Sequence, residues 1–244
     1  MKKRLDLIMS EREICRSRTA AGILIARGSV KVNGNLIIKP SKTVDIESQI
    51  EIIEPLAFVS RGGEKLDHAL SIWDISVQGA VAADVGSSTG GFTDCLLQRG
   101  ASKVYAIDVG TGQLDKKLTS DPRVVSIEQT DVREAKLPEL VDLACIDLSF
   151  ISLTHVLVKV KKLLKETGII VALVKPQFEV GPGQVDRRGV VSDKVKRDDA
   201  LQKIKSIATN FGLKLMNETT SPITGSKGNV EYLLYLKNTK DCQI

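Results

Sequence analysis

The chain has 244 residues, of which 42% are hydrophobic and 27% are charged, an ordinary globular composition with room for one or two domains. No apolar run approaches the roughly 18 residues that a membrane span needs, and no secretory signal follows the basic N-terminus, so we expect a cytoplasmic protein. Four widely spaced cysteines and only two histidines predict reduced thiols and no metal site.

The net charge of +5 is unevenly distributed along the chain. Residues 1–42 hold ten Lys or Arg and three acidic residues, a net charge of +7, whereas the other 202 residues carry −2. A basic module joined to a nearly neutral body favours a polyanion as the partner of the first module. On charge alone, a merely solvated basic surface fits equally well.

Residues 1–54 are predicted to form two helices followed by short strands. Ser17 is a suitable N-cap for the second helix, and Gly28 is suited to its end. Asn33-Gly34 is a strong hairpin signal because both residues tolerate positive φ, and a last strand is predicted over 46–53.

This module also carries a specific run of residues. It consists of Ser17-Arg18, Ala20-Ala21, Leu24-Ile25, the segment 28–34 and Lys39-Pro40-Ser41. The run resembles the S4-type RNA-binding domain. The resemblance and the phosphate-matching geometry of guanidinium groups predict RNA binding, with a protein-docking module as the alternative. The candidate RNA-binding residues are Arg4, Arg12, Arg16, Arg18, Arg27 and Lys31.

A linker over 55–60 is expected to lead into a second domain over 61–244, where apolar strands alternate with helical patterns. This alternation predicts an α/β fold, a Rossmann-like doubly wound sheet that is mostly parallel. A pair of strands near 213–218 and 231–236, with no convincing helix between them, is expected to add an antiparallel hairpin at the sheet edge. The other predicted strands are 80–85, 103–108, 123–127, 142–147 and 168–174.

A glycine-rich turn follows the first of these strands. Asp84 ends the strand, and the spacing after it is G-x-x-x-G-G rather than the dinucleotide pattern G-x-G-x-x-G. An acid before the first glycine would repel a pyrophosphate and attract a cationic aminoacyl group. We therefore predict S-adenosylmethionine as the cofactor and disfavour an NAD-dependent oxidoreductase. Asp108 could accept from ribose hydroxyls and Asp131 from the adenine amino group. The candidate cofactor-binding residues are Asp84, Gly86, Ser87, Thr89, Gly90, Gly91, Phe92, Asp108 and Asp131.

Four further residues stand at strand ends or beside the expected cleft. Asp147 and Lys175 close apolar strands, Glu231 opens the last strand, and Lys65 lies on the helix before the sheet. A buried lysine is costly unless it is paired, so Lys175 is the most informative of the four.

The motifs around these residues together resemble one family. They are the segment 61–65, the run after Asp84, Asp147-Leu148-Ser149-Phe150, the segment 175–179, Ser221-Pro222-Ile223-Thr224-Gly225 and Gly228-Asn229-Val230-Glu231. The family is that of the TlyA or hemolysin A ribosomal RNA 2′-O-methyltransferases, an S4-type domain fused to an FtsJ-like methyltransferase. By this resemblance, Lys65, Asp147, Lys175 and Glu231 match a catalytic Lys-Asp-Lys-Glu tetrad. The implied substrate is a cytidine 2′-OH in 23S rRNA, sometimes also in 16S rRNA, and the implied partners are ribosomal subunits.

The chemistry of methyl transfer fits these residue types. The 2′-OH must lose its proton as it attacks, and a lysine can take that proton only when it is neutral. Our hypothesis is that Lys175 is the base, that Lys65 and Asp147 set its charge and orientation, and that Glu231 holds Lys65 or the ribose.

Two other functions are considered. A non-catalytic RNA-binding ribosome-assembly factor would use the same basic module without needing the tetrad. A membrane-active hemolysin would need a long apolar or strongly amphipathic basic helix, and residues 155–165 fit a sheet-covering helix better. The sequence does not decide the oligomeric state, although a monomer is favoured.

Overall fold

The computed structural model describes residues 1–225 and 227–239 and separates into two compact units, Met1–Ser60 and Arg61–Ile244. The three cysteines within the described ranges, Cys15, Cys95 and Cys145, are free and buried. Cys242, the fourth predicted thiol, lies outside the described residues.

The first unit is a small α+β fold. Its elements are β1 (Lys2–Arg4), α1 (Leu5–Glu11), α2 (Arg18–Ala26), β2 (Val30–Val32), β3 (Asn35–Leu36), β4 (Thr43–Asp45) and β5 (Ile50–Ile52). One sheet has the order β3-β2-β5, and β1 pairs with β4 in a second sheet. β1 was not predicted from the sequence, and in place of the single strand predicted over 46–53 the structure has only the shorter β5, preceded by the separate β4.

Local signals explain the centre of this unit. Ser17 Oγ accepts a hydrogen bond from Ala20 N at 3.1 Å, so it caps α2 as predicted, and Gly28 follows the helix with φ +75°. The β2–β3 hairpin turns at Asn33 and Gly34, which both have positive φ, as predicted. Apolar side chains from both helices and from β2 form the core of the unit.

The second unit is built around a seven-stranded sheet. Its helices are α3 (Arg61–Ile72), α4 (Gly91–Gln98), α5 (Lys116–Thr119), a 3₁₀ helix (Leu153–His155), α6 (Leu157–Lys161), α7 (Pro176–Glu179) and α8 (Lys194–Asn210). Its strands are β6 (Val81–Val85), β7 (Lys103–Ile107), β8 (Val124–Ile127), β9 (Val141–Ile146), β10 (Leu164–Val174), β11 (Leu213–Thr220) and β12 (Tyr232–Asn238).

The strand order is β11-β12-β10-β9-β6-β7-β8, and neighbours from β10 to β8 are parallel. β12 is antiparallel to both β10 and β11, which confirms the predicted antiparallel edge pair. The sheet with its helices confirms the predicted α/β class. Chain order reverses beside β6, whose neighbours are β7 on one side and β9 on the other. In open α/β sheets, ligands bind beyond the carboxyl ends of the strands at such a reversal.

Two element boundaries differ from the prediction. The helix expected over 155–165 is interrupted, because Leu164 already pairs with Val141 at the start of β10. Glu231 precedes β12 instead of opening it, since the antiparallel pairing of β12 with β10 begins at Tyr232 opposite Val174.

Candidate functional site

A cavity of about 440 Å³ lies beyond the carboxyl ends of the central strands. Its walls include apolar side chains that follow β7, β8 and β9, such as Val109, Val132 and Leu148. Gly86 and three acidic residues, Asp108, Asp131 and Asp147, also line it. An apolar cavity with a few convergent polar groups is the usual form of a small-molecule site.

Gly86 allows the turn after β6 to approach the end of β9. It has φ +85°, and a methyl group added to its Cα would lie 2.6 Å from the backbone oxygen of Asp147. Gly90, with φ +92°, precedes α4, and an added methyl group there would overlap the side chains of Leu114 and Leu118. Both positions therefore require glycine for conformation and for space.

Asp84 lies behind this turn and is fully buried. Its Oδ2 accepts hydrogen bonds from Thr93 N at 2.8 Å and Thr93 Oγ1 at 2.7 Å, in the first turn of α4. Its Oδ1 is buried and has no hydrogen-bond partner among the described residues. Burial is the main reason why the pKa of Asp84 rises to about 7, and the nearby carboxylates of Asp147 and Asp108 raise it further. A cationic ligand group would stabilise the ionised form.

Asp108 and Asp131 occupy two sides of the same cavity. The Asp108 carboxylate accepts from Ser88 N at 2.8 Å and Gly110 N at 2.7 Å, which orders the loops after β6 and β7. Asp131 is held by the Arg133 guanidinium at 2.5 Å, and this hydrogen bond is the main reason why the pKa of Asp131 is lowered. Asp131 is therefore an ionised acceptor at the cavity wall.

The other predicted cofactor residues do not line the cavity. Gly91 begins α4, and Ser87 is buried with its backbone oxygen accepting from Gly90 N at 2.7 Å. Thr89 is exposed outside the cavity wall. Phe92 is 2% exposed and is not among the residues that line the cavity, which favours the packing role that the sequence also allowed.

A second cavity of about 520 Å³ shares two wall residues, Ser149 and Phe150, with the first. Lys65, Lys175 and Glu231 line this second cavity. It is called the acceptor cavity below, and the first is called the cofactor cavity. The two are neighbours separated by the segment that follows β9.

The predicted tetrad forms two ion pairs at this wall. Lys65 Nζ lies 2.5 Å from Glu231 Oε2, and Lys175 Nζ lies 2.6 Å from Asp147 Oδ1. Asp147 lines the cofactor cavity, whereas Lys175 lines the acceptor cavity. The second ion pair therefore spans the wall between the two cavities.

Neighbouring residues fix the orientation of both pairs. Lys175 Nζ also donates to Ser149 Oγ at 2.9 Å, and Gln177 Nε2 donates to Glu231 Oε1 at 3.4 Å. A methyl group added to Gly225 would lie 2.5 Å from Glu231 Oε1, so glycine there leaves room for the carboxylate.

Glu179 is buried and was not among the predicted site residues, although it belongs to the family-like segment 175–179. Ser152 Oγ donates to its Oε2 at 2.5 Å, and Leu153 N donates to its Oε1 at 2.9 Å. Burial is the main reason why the pKa of Glu179 is raised. Since Glu179 ends the short helix that begins just after Lys175, it ties that helix to the segment following Asp147.

Phe150 lies in this same segment and is unusual in two respects. It has φ +65°, a left-handed conformation that is rare for an aromatic residue, and it is 91% exposed. Its ring contacts Phe178 with a centroid distance of 5.1 Å. Exposed Phe150 and half-buried Phe178 thus form an aromatic pair at the rim of the acceptor cavity.

The predicted RNA-binding residues of the first unit are mostly exposed, but several also stabilise the fold. Arg4 and Arg18 bind Asp6 at 2.7 and 3.1 Å, and Arg4 is the main reason why the pKa of Asp6 is lowered to about 2. Arg12 donates to Ser48 O and Arg16 donates to Phe58 O. The remaining two candidates are exposed Arg27 and half-buried Lys31, which lies on β2.

Two features are absent from residues 1–225 and 227–239. No helix there is long and apolar enough to cross a membrane. No cluster of three or more His, Cys, Asp or Glu side chains in these ranges is arranged to hold a metal ion.

Comparison with known proteins gives two domain matches. Residues 58–238 match the family of FtsJ-like methyltransferases, and residues 3–50 match the S4 domain. The 16S/23S rRNA (cytidine-2′-O)-methyltransferase TlyA of Mycobacterium tuberculosis is 42% identical over 244 residues, covering 98% of this chain and 91% of that protein.

Two further relatives carry a different name. Hemolysin A of Brachyspira hyodysenteriae is 40% identical over 236 residues, covering 95% of this chain and 98% of that protein. The solved structure of a Streptococcus thermophilus protein, provisionally assigned as a hemolysin, is 39% identical with a TM-score of 0.78. It covers 98% of this chain and 89% of that one.

Proposed function

Because the chain belongs to the TlyA or hemolysin A family, in which an S4 domain precedes an FtsJ-like methyltransferase domain, we propose that it methylates a ribose 2′-oxygen in ribosomal RNA. The methyl donor is S-adenosylmethionine, and the acceptor is a cytidine of 23S rRNA, with 16S rRNA as a second candidate substrate. The observation that carries the proposal is the Lys175–Asp147 ion pair, which spans the wall between a cofactor-sized cavity and a second cavity lined by Lys65 and Glu231.

The residues of the cofactor cavity fit S-adenosylmethionine. Asp84 keeps an unpartnered buried oxygen behind the glycine turn, which suits a cationic aminoacyl group. In this proposal Gly86 lets the ligand approach the backbone, Asp108 accepts from ribose hydroxyls and Asp131 accepts from the adenine amino group. When bound, S-adenosylmethionine supplies an electrophilic methyl group on a sulfonium.

The tetrad then acts on the acceptor. Lys175 takes the proton of the 2′-OH only in its neutral form, so it must first lose the proton that it holds in the 2.6 Å ion pair with Asp147 to that carboxylate or to solvent. As the 2′-oxygen attacks, its proton passes to the Lys175 amine, and the Asp147 carboxylate stabilises the ammonium that forms. Ser149, at 2.9 Å, orients the amine. Glu231 holds Lys65 at 2.5 Å beside this centre. Besides this proton transfer, fixed positions of donor and acceptor supply much of the acceleration of an in-line displacement.

Two features support RNA as the acceptor. The first unit matches the S4 domain, and the basic charge of the chain is concentrated there, with +7 in residues 1–42. Exposed Phe150, in contact with Phe178, offers a surface on which an unstacked base can stack.

Ribosomal RNA as the substrate implies the cytoplasm as the compartment.

The decisive experiment incubates the purified protein with radiolabelled S-adenosylmethionine and, separately, with unmethylated large and small ribosomal subunits. We expect label in rRNA at one cytidine 2′-oxygen, located by nuclease mapping. Lys175→Ala should bind cofactor and RNA normally and transfer no label, whereas Lys214→Ala, an exposed position on β11, should behave as wild type. A Lys175→Ala protein that methylates at the wild-type rate would remove Lys175 from the mechanism. Absence of transfer to either subunit would favour a non-catalytic assembly factor.

A further inference from the structure

The acceptor cavity is lined by basic side chains that are paired with carboxylates and by others that are not. Lys65 and Lys175 each face a carboxylate at 2.5 and 2.6 Å, so these two ion pairs add no net charge. Arg61 and Lys227 line the same cavity, and neither side chain has a hydrogen-bond or ion-pair partner among residues 1–225 and 227–239. The cavity therefore presents two unneutralised positive charges.

We propose that Arg61 and Lys227 bind the two backbone phosphates that flank the target ribose. This inference rests on the proposed function and specifies how its RNA substrate is held. A nucleotide within an RNA strand enters a site with a phosphodiester on each side, which amounts to two negative charges. The two neutral ion pairs would do little to attract it, whereas Arg61 and Lys227 balance that charge.

The position of Arg61 follows from helical geometry. Arg61 and Lys65 are four residues apart on α3, and residues at this spacing lie on the same face of a helix, about 6 Å apart. Since Lys65 is fixed by Glu231, the guanidinium of Arg61 is placed one helical turn from the tetrad. A guanidinium fork can bind a phosphate with two parallel hydrogen bonds.

Lys227 is exposed and lies in the turn four residues before Glu231. A methyl group added to Gly189 would lie 3.4 Å from Lys227 Nζ, so the segment around Gly189 packs beside this lysine. That segment is fixed by Asn229, which is 2% exposed, donates to Gly189 O at 2.9 Å and accepts from Val191 N at 3.0 Å. Arg61 and Lys227 therefore lie on the two segments that the Lys65–Glu231 ion pair joins.

The test uses full-length Arg61→Gln, Lys227→Gln and the double variant, with Lys214→Gln as an exposed control on β11. Methylation of unmethylated large subunits is measured against subunit concentration at several KCl concentrations, together with equilibrium rRNA binding and cofactor binding. Each single variant should raise KM about tenfold, the scale of one charge-assisted hydrogen bond, and leave kcat within about twofold. The slope of log affinity against log salt should become shallower by about one per cation removed.

Normal cofactor binding shows that a variant is folded. The proposal is overturned if KM and the salt slope of both single variants equal those of Lys214→Gln. It is also overturned if kcat falls while KM and rRNA affinity stay unchanged, since the residues would then act in the chemistry. Failure of the wild type to methylate rRNA would refute the proposed function. In that event the salt slope of rRNA binding still decides whether the two cations contact phosphates.

Discussion

Lys65 and Glu231 are 166 positions apart in the chain, yet their side chains form a buried ion pair with an Nζ–Oε2 distance of 2.5 Å. The pair joins α3, which precedes the sheet, to the segment that leads into β12. β12 is the antiparallel strand between β11 and β10. It therefore links the first helix of the second unit to one of its last strands beside the acceptor cavity.

Replacing one partner of this ion pair should destabilise the protein more than replacing both partners. Lys65→Met leaves Glu231 as a buried unpaired carboxylate, which should lower the free energy of unfolding by about 3–5 kcal/mol. The double variant Lys65→Met with Glu231→Met should recover most of that loss, because no buried charge remains. Urea denaturation of the single and double variants measures the coupling. If the two single effects simply added, the ion pair would not be the source of the cost.

Asp84 should make stability depend on pH. Its pKa of about 7 in the folded protein lies above the ordinary value of 3.8, so its contribution to stability is fully present below pH 3.8 and is lost as pH rises through 7. Without cofactor, the free energy of unfolding of the wild type should fall by up to about 4 kcal/mol, relative to that of Asp84→Asn, as pH rises over this range. Denaturation curves at pH 4, 5.5, 7 and 8 test this. Asp193→Asn, an exposed carboxylate at the start of α8, serves as the control. A pH-independent difference would contradict the raised pKa.

Glu179 should affect turnover through the segment it holds. Glu179→Ala removes the acceptor for Ser152 Oγ and Leu153 N, which should cost about 2 kcal/mol and let the segment carrying Ser149 and Phe150 move. We expect kcat to fall about tenfold with cofactor affinity unchanged, and Glu179→Gln to restore much of it, because an amide can still accept from Leu153 N.

The matched control for this prediction is Asp193→Ala. Asp193 caps α8 by accepting from Val195 N at 2.8 Å, so its loss also costs stability, but it lies outside both cavity walls. Equal decreases of kcat in Glu179→Ala and Asp193→Ala would show a general stability effect and refute the positioning role.

Asp6 should stabilise the first unit through Arg4 and Arg18. Its pKa of about 2 lies below the ordinary value, so its contribution is present above pH 3.8 and is lost as pH falls through 2. At pH 7, Asp6→Asn should lower local stability by about 2 kcal/mol. Amide hydrogen exchange of full-length protein should show faster exchange in α1 and α2, with the second unit unchanged. Unaltered exchange in both helices would contradict this prediction.

Much of the fold could be predicted because its signals are local. The strands of the central sheet are apolar runs separated by turns, and the Asn33-Gly34 hairpin needs only the tolerance of two adjacent residues for positive φ. β1 could not be predicted, since the short segment Lys2–Arg4 is polar and becomes a strand only by pairing with β4. The helix predicted over 155–165 is too long for a similar reason. Leu164 pairs with Val141 of β9 and therefore belongs to β10.

The sequence by itself determined the residue types of the site: the glycine turn after Asp84, the acids at strand ends and, by resemblance to a family, the four members of the tetrad. Only the tertiary structure decided how they pair, with Lys65 on Glu231 and Lys175 on Asp147, and that Phe92 packs inside. It also revealed the bond between Glu179 and the segment after β9. The reason is physical: a glycine turn depends on dihedral angles within a few residues, whereas an ion pair between distant residues depends on which strands become neighbours in the sheet.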